Sequence, residues 1–204
     1  MAKLVMVVGG SRSGKSSFAE KLAFDYEKAN ENTSENTTVY YIATGKIFDE
    51  EFAKRVKQHT VRRPKHWITI EEPIFISEVL QGEGAPKHRI QSEGTPLYLI
   101  DGVGTWVANL MYQSELQPEL VTGVFHWDEG IEQRCINEIE RFIDGCANAS
   151  GTIILVADEV GMDVVPEHKE ARVFRDLNGL ANQKLAKQAD EVHLVVCGIP
   201  VQIK

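Results

Sequence analysis

The sequence predicts an α/β fold in which one mainly parallel sheet is covered by helices. Apolar runs of strand length alternate with segments of helical periodicity along all 204 residues. Such alternation is typical of parallel strands joined by helices. A glycine-rich loop follows the first apolar run, and no internal repeat marks a second domain. We therefore expect a single domain spanning residues 1–204, with an antiparallel edge strand at its C-terminal end.

Composition narrows the classes of function. Hydrophobic residues make up 43% of the chain and charged residues 25%, as in ordinary soluble globular proteins. The formal net charge of -8 argues against a general electrostatic role on nucleic acid or anionic membrane. Residues 1–8 lead directly into the glycine-rich loop and leave no room for a signal peptide, and no apolar run approaches ~18 residues. We expect a cytoplasmic protein with no membrane insertion.

Three cysteines are spread along the second half of the chain, at Cys135, Cys146 and Cys197. Their odd number and wide spacing indicate neither a disulfide framework nor a zinc site. We expect buried thiols.

The most informative motif is the phosphate loop, which we define as residues 9–16. Its sequence, Gly9-Gly10-Ser11-Arg12-Ser13-Gly14-Lys15-Ser16, matches G-x-x-x-x-G-K-[ST] at every fixed position. In this pattern the glycines let backbone N–H groups face phosphate oxygens, the lysine approaches the outer phosphates and the serine hydroxyl binds Mg²⁺. The apolar run before the loop predicts a strand, and the four-residue spacing of Phe18, Leu22 and Tyr26 predicts a helix. The sequence therefore predicts a nucleoside triphosphate site.

A basic cluster follows the second predicted strand, residues 38–43. That strand delivers Thr44, Gly45 and Lys46 at its carboxyl end, where ligands bind in open parallel sheets. A predicted helix with Phe48, Phe52 and Val56 on its apolar face comes next. A solvated surface is the usual role of a basic cluster, but in an acidic protein with a phosphate loop a triphosphate-facing patch is favoured. The cluster consists of Arg55, Lys57, His59, Arg62, Arg63, Lys65 and His66.

Several later strands are predicted to end in carboxylates. A short strand over residues 67–71 ends in Glu71, and the apolar run 97–101 ends in Asp101. A third run, residues 152–159, ends in Asp158 and Glu159. Such a carboxylate commonly reaches the magnesium ion of a phosphate loop. Spacing alone does not choose between Asp101 and Asp158.

The remaining segments complete the alternation. Residues 160–167 are too irregular for a helix and too apolar for an exposed loop, so they form either an ordered active-site loop or a core-lining crossover. The other predicted elements are a short helix over 74–80, a surface loop over 81–95, a long helix over 127–148, an amphipathic helix through Phe174, Leu177, Ala181 and Leu185, a buried strand over 192–197 and an edge strand over 201–203.

Together these motifs resemble the bifunctional adenosylcobinamide kinase and adenosylcobinamide-phosphate guanylyltransferase family, and the resemblance covers nearly the whole chain. The fold expected from it is a single P-loop NTPase domain of the RecA-like kind. The residues that carry the resemblance are the phosphate loop, Tyr41-Ile42-Ala43-Thr44, Arg55-Val56-x-x-His59-x-x-x-Arg63-Pro64-x-x-Trp67, Glu159-Val160-Gly161-Met162 with Val165-Pro166-Glu167, and Phe174-Arg175-Asp176-Leu177 through Asn182-Gln183 to Ala189-Asp190-Glu191-Val192.

The resemblance implies two reactions of cobalamin assembly. ATP or GTP phosphorylates adenosylcobinamide, and GMP is then transferred from GTP to that phosphate through a histidine, which the alignment places at His59. Lys15 is the second catalytic residue implied, Mg²⁺ is held by Ser16 and Asp101, and the assembly is a homotrimer. Beyond the phosphate loop, the nucleotide contacts implied are Thr44, Gly45, Lys46, Thr60, Val61, Arg62, Arg63, Glu71 and Asp101.

The chain also departs from the family pattern. It has Gly102-Val103-Gly104-Thr105-Trp106 where the family commonly has Cys-Leu-Thr-Leu-Trp. Asp158 replaces an asparagine, and Asp163 replaces a small residue. Two other classes of function stay open: a kinase or triphosphatase for another small molecule, in which His59 is only a helix-end cation, and a nucleotide-gated binding protein without turnover.

Overall fold

The computed structural model describes residues 2–30, 36–45, 63–81, 94–113 and 125–204. The strands are β1 (Lys3–Gly9), β2 (Thr37–Ala43), β3 (Ile68–Glu71), β4 (Thr95–Asp101), β5 (Thr152–Asp158), β6 (Glu191–Val196) and β7 (Ile199–Gln202). The helices are α1 (Lys15–Asn30), α2 (Ile76–Gln81), α3 (Val103–Met111), α4 (Glu129–Asn148) and α5 (Lys169–Gln188).

The strands form one sheet in the order β3-β2-β4-β5-β1-β6-β7. All neighbours are parallel except β6 and β7, which pair antiparallel at the edge. This arrangement confirms the predicted α/β architecture. Gly9 of β1 lies opposite Asp158 of β5, and Asp101 of β4 lies opposite Val156. The carboxyl ends of these three strands therefore meet at one edge of the sheet.

The central strands are apolar on both faces because helices cover both faces. Alternate side chains such as Val7 and Leu99 pack with α1, whose Ala19 and Ala23 are fully buried. The intervening side chains, such as Met6, pack with the other four helices. Among the helices that the structure describes, α1, which follows the phosphate loop, therefore covers the face of the sheet that carries Val7 and Leu99. Within those parts, no helix combines the length and the hydropathy that a bilayer-spanning segment requires.

Three expectations differ from the structure. Helix α3 was not predicted, although its buried residues have helical spacing (Val103, Trp106, Val107, Leu110 and Met111). The prediction of a buried last parallel strand is wrong for most of β6, because its outer neighbour β7 is short and exposed, and only Val192 and Val195 are buried. The core-lining alternative for 160–167 is wrong, because Met162, Val164 and Val165 are 81%, 85% and 64% exposed. The helix predicted after residue 46 lies outside the described residues.

The turn between β6 and β7 packs against the phosphate loop. Cys197 and Gly198 have φ values of 52° and 80°, as in the two-residue type I′ turns that suit the twist of a hairpin. The Gly198 N–H donates to the Ser13 carbonyl at 2.8 Å. A Cβ atom on Gly14, which has φ 94°, would lie 3.1 Å from the Gly198 Cα. The C-terminal hairpin therefore supports the phosphate loop from one side.

The same turn corrects the prediction for one cysteine. Cys135 and Cys146 are buried as expected, and burial raises the pKa of their thiols to about 11 and about 12. Cys197 is exposed because it lies in the turn. The thiolate is the reactive form, so we expect a thiol-specific chromogenic disulfide to label one cysteine per native chain. Cys197→Ser should abolish that rapid labelling, and rapid labelling that survives in this variant would contradict the assignment.

Candidate active site

The phosphate loop joins β1 to α1 at the carboxyl edge of the sheet. Ser13 N–H donates to the Gly10 carbonyl at 3.2 Å, and Arg12 has a left-handed φ of 55°. Helix α1 begins at Lys15, and the N–H groups of a first helical turn have no carbonyl partner within the helix. These groups and the positive end of the helix dipole favour an anion at this point.

Lys15 lies across the loop and reaches the end of β5. Its Nζ atom is 2.7 Å from Asp158 Oδ1 and 3.2 Å from the Gly10 carbonyl oxygen. The lysine side chain is 13% exposed and the aspartate side chain 30%. The cation that the motif assigns to phosphates is therefore paired with a carboxylate in this structure.

Asp158 has close neighbours on α5 and α3. The side-chain amides of Asn178 and Asn182 donate to its backbone carbonyl at 2.8 and 2.9 Å. Gly104 of α3 lies beside the carboxylate, where a Cβ atom would be 2.7 Å from Asp158 Oδ2 and 3.2 Å from Asn178 Oδ1. Since real Cβ atoms do not come that close to an oxygen, a glycine at 104 makes room for the carboxylate.

Asp101 occupies the corresponding position at the end of β4 but has different partners. Ser16 Oγ donates to Asp101 Oδ1 at 3.2 Å, and the Tyr41 hydroxyl donates to the other carboxylate oxygen. Burial, and then the negative charge of Asp101, raise the pKa of Tyr41 well above its usual value. Tyr41 therefore stays neutral and keeps its proton for Asp101. The loop serine and a strand-end carboxylate are thus joined, as the Mg²⁺ prediction requires.

Arg63 of the basic cluster also belongs to this network. Its guanidinium carbon lies 3.2 Å from the centroid of the Tyr41 ring, in the geometry of a cation–π contact. Its Nε atom is 3.8 Å from Glu20 Oε1 on α1, and the arginine side chain is only 8% exposed. A continuous set of contacts therefore runs from Arg63 through Tyr41 and Asp101 to Ser16.

Other predicted residues fall at different places. Thr44 is fully buried, and its hydroxyl donates to the Gly102 carbonyl at 2.8 Å, with half-buried Gly45 next to it. Glu71 is exposed at the end of β3, the edge strand beside β2. The structure therefore groups the phosphate loop, Asp101, Arg63 and Thr44, whose hydroxyl is also 3.2 Å from the Asp101 carbonyl oxygen. Glu71 lies opposite Ala43 of β2, which lies opposite Asp101 on its other side, so Glu71 is at the same edge of the sheet, two strands from Asp101. Lys46, His59, Thr60, Val61 and Arg62 lie outside the described residues.

Sequence reasoning missed three supporting residues: Tyr41, Asn178 and Asn182. Asn178 is fully buried on α5, next to buried Leu177. Two asparagines four residues apart beside an apolar stripe are a readable signal, because a buried amide needs hydrogen-bond partners. Tyr41 gave no such signal, because an aromatic residue inside a strand is ordinary.

The segment that follows Asp158 is fastened to the same edge. The Glu159 carboxylate accepts from Gly161 N–H at 2.7 Å and from Met162 N–H at 3.3 Å, and Arg175 donates to the Gly161 carbonyl at 2.8 Å. Nearby, an open and mostly apolar pocket of about 420 Å³ lies between α3 and α5. Its lining residues are Ala108, Tyr112, His168, Glu170, Ala171 and Phe174.

The arrangement is suited to bind a polyphosphate with a magnesium ion. In the part of the chain that the structure describes, no group of three or more His, Cys, Asp or Glu side chains could hold a metal. Mg²⁺ does not need such a group, because it commonly uses one or two carboxylates together with waters and substrate phosphates. The Ser16 hydroxyl and the Asp101 carboxylate are oxygen donors of that kind.

Comparison with known proteins gives consistent matches over nearly the full length. The sequence pattern of the family described as cobinamide kinase / cobinamide phosphate guanyltransferase matches residues 5–203. The bifunctional adenosylcobalamin biosynthesis protein CobU of Escherichia coli K12 is 38% identical, with 98% of this chain and 99% of that protein aligned. The CobU protein of Salmonella typhimurium LT2 is 39% identical with the same coverage. The CobP protein of Pseudomonas aeruginosa PAO1 is 31% identical over 98% of this chain and 96% of its own length.

Proposed function

Because the chain belongs to the cobinamide kinase / cobinamide phosphate guanyltransferase family, we propose that it carries out two successive transfers in cobalamin biosynthesis. In the first, ATP or GTP phosphorylates the aminopropanol hydroxyl of adenosylcobinamide. In the second, GMP passes from GTP to adenosylcobinamide phosphate through a guanylyl-histidine, which gives adenosylcobinamide-GDP and diphosphate. The observation that carries this proposal is the contact network of Ser16, Asp101, Tyr41 and Arg63, which joins the phosphate loop to one residue of the basic cluster.

In the kinase step, the acceptor hydroxyl oxygen attacks the γ-phosphorus and the bond to the β-phosphate oxygen breaks. Phosphoryl transfer depends mainly on positioning and on neutralising charge. The phosphate-loop backbone and the first turn of α1 hold the phosphates, and Lys15 stabilises the charge that develops on the transferred group. The donor leaves as a nucleoside diphosphate, and the hydroxyl proton is released.

Magnesium is the ion that this site fits. Ser16 and Asp101 would hold it, because a hydroxyl and a carboxylate lie together next to the phosphate loop. When bound, the ion neutralises phosphate charge. Tyr41 fixes the orientation of the Asp101 carboxylate through its hydrogen bond.

In the guanylyl-transfer step, a His59 ring nitrogen attacks the α-phosphorus of GTP and diphosphate leaves. The phosphate oxygen of the acceptor then attacks the same phosphorus, the P–N bond breaks and the histidine is restored. Arg63 supports this assignment. It lies four residues after His59, so the extended chain allows at most about 14 Å between their Cα atoms, and its guanidinium packs on the ring that binds Asp101.

We place the acceptor on the side of Asp158 and Glu159. The pocket between α3 and α5 supports this choice, because Phe174 in its lining is one helical turn before Asn178, which contacts Asp158. An apolar pocket beside the charged phosphate-binding site suits a large organic acceptor with a single reacting hydroxyl. The family resemblance also implies a homotrimer, and the exposed apolar residues Val196, Ile199 and Val201 supply surface for such an assembly.

Labelled GTP tests the proposed function directly. Label in the α-phosphate should become covalently bound to the protein and then pass to adenosylcobinamide phosphate. Label in the γ-phosphate should pass to adenosylcobinamide. Release of phosphate alone would indicate a kinase or triphosphatase for another substrate, and bound but unreacted nucleotide would indicate a binding protein.

Replacing Asp101 by asparagine should weaken the binding of Mg-GTP by roughly 10- to 100-fold, because the amide keeps the shape of the carboxylate and loses its charge. Binding of GTP in the presence of a chelator should change much less. Calorimetric titration with and without Mg²⁺ measures both quantities. If Asp158→Asn weakened Mg-GTP binding more than Asp101→Asn, the two carboxylates would have to exchange roles.

A further inference from the structure

We propose that Asp158 takes the place of a phosphate on Lys15 and thereby sets the affinity of the chain for nucleotides with outer phosphates. The inference rests on the proposed function, because it takes the phosphate loop as the nucleotide site. It adds an affinity-determining residue that does not belong to the loop motif.

The first support is the contact itself. Lys15 Nζ is 2.7 Å from the Asp158 carboxylate, and both side chains are largely screened from solvent. A phosphate-loop lysine approaches the outer phosphates when a nucleotide is bound. A nucleotide that brings its outer phosphates to Lys15 therefore competes with the Asp158 carboxylate for the same cation.

The second support is the set of residues that surround Asp158. Two asparagine side chains fix its backbone carbonyl at 2.8 and 2.9 Å. Gly104 leaves the space for its carboxylate, since a Cβ atom there would lie 2.7 Å from Oδ2 and 3.1 Å from the Asp158 Cβ. The backbone of Asp158 is therefore fixed by two hydrogen bonds, and the glycine leaves open the space that its carboxylate uses to reach Lys15.

The expected effect follows from competition. When a fraction of molecules has the binding group engaged elsewhere, the apparent affinity falls by that fraction. In Asp158→Asn the amide no longer binds Lys15 as an ion pair, so Lys15 is free for phosphates. Lys15 then lacks a charged partner in the nucleotide-free protein, which costs stability that a bound nucleotide restores.

The test measures binding of a GTP analogue with a methylene bridge between its α- and β-phosphates, which prevents transfer of GMP to the protein. Asp158→Asn should bind it roughly tenfold more tightly than the unsubstituted chain, while its affinity for GMP, which has no outer phosphates, should change little. The nucleotide-free variant should melt at a lower temperature, and the analogue should raise that temperature by a larger increment.

A second variant and a matched control are measured together with Asp158→Asn. Gly104→Ala should also tighten binding, because the added Cβ displaces the Asp158 carboxylate. The control, Glu140→Gln, removes a carboxylate on α4 that pairs with Lys184 on α5 at the same distance of 2.7 Å. It should leave the affinity for the analogue unchanged.

If the chain itself bound no analogue, the proposed nucleotide site would fail. If the chain bound it and Asp158→Asn bound it equally or more weakly, or if GMP affinity rose by the same factor, this inference would be overturned.

Discussion

Replacing Lys15 by alanine should abolish both the kinase and the guanylyltransferase activity while the fold remains. In the proposed function both steps move phosphate groups bound at the loop, and loss of one charged contact to a transition state commonly costs about 100- to 1000-fold in rate. The uncovered Asp158 carboxylate adds repulsion to this loss, because the two groups are 2.7 Å apart in the intact chain. Steady-state rates of both reactions, with circular dichroism and melting temperature for the fold, measure the effect.

Lys184→Ala is the control for this variant. It removes a lysine that pairs with a carboxylate at the same distance but lies on α5, away from the loop. It should keep both activities. Near-normal turnover in purified Lys15→Ala would refute the role of the loop. The double variant Lys15→Ala with Asp158→Asn should recover part of the lost binding, because it removes the repulsion without restoring the cation.

Replacing His59 by alanine should abolish guanylyl transfer and leave the kinase step intact. An imidazole with a reference pKa of ~6.5 is mostly unprotonated at pH 7 and can attack phosphorus directly. We propose that cations close to His59 in the sequence, such as Arg63, favour the neutral ring and stabilise the departing diphosphate. GTP labelled in its α-phosphate should leave an acid-labile, alkali-stable adduct on the unsubstituted chain and none on His59→Ala. The variant should still phosphorylate adenosylcobinamide.

His66 is the matched control for the nucleophile. Its Nε2 atom lies 2.8 Å from Glu27 Oε1, near the far end of α1. Glu27 is twelve residues beyond Lys15, which corresponds to about 18 Å along the helix axis. His66→Ala should therefore keep the adduct. An adduct that persists in His59→Ala would show that the nucleophile is another group.

The phosphate loop and the sheet could be predicted because their signals are local. Each fixed position of the loop is occupied, and the apolar runs before Gly9, Asp101 and Asp158 have the length and bounds of buried strands. Helix α3 was missed because glycines stand at its start, Gly102 and Gly104, where a helix signal is weakest.

The division of roles between the two carboxylates could not be predicted, because it depends on which strands become neighbours. Asp158 ends β5, which lies beside the phosphate-loop strand, and Asp101 ends β4, one strand further away. The spacing of residues in the sequence does not reveal the order of the strands in the sheet. The structure shows that the nearer carboxylate pairs with Lys15 and the farther one with Ser16.

The C-terminal hairpin affects whether another strand can pair with the edge of the sheet at β7. Val196 and Ile199 close a two-residue turn and form its hydrogen-bonded pair, so the next pair, Val195 and Pro200, has its backbone nitrogens facing away from each other. Pro200 therefore stands where β7 would present an N–H to a strand from another molecule, and proline has none. A strand of another copy that paired along β7 would therefore lose a backbone hydrogen bond at Pro200, and the proline disfavours continuation of one sheet into the next across this edge.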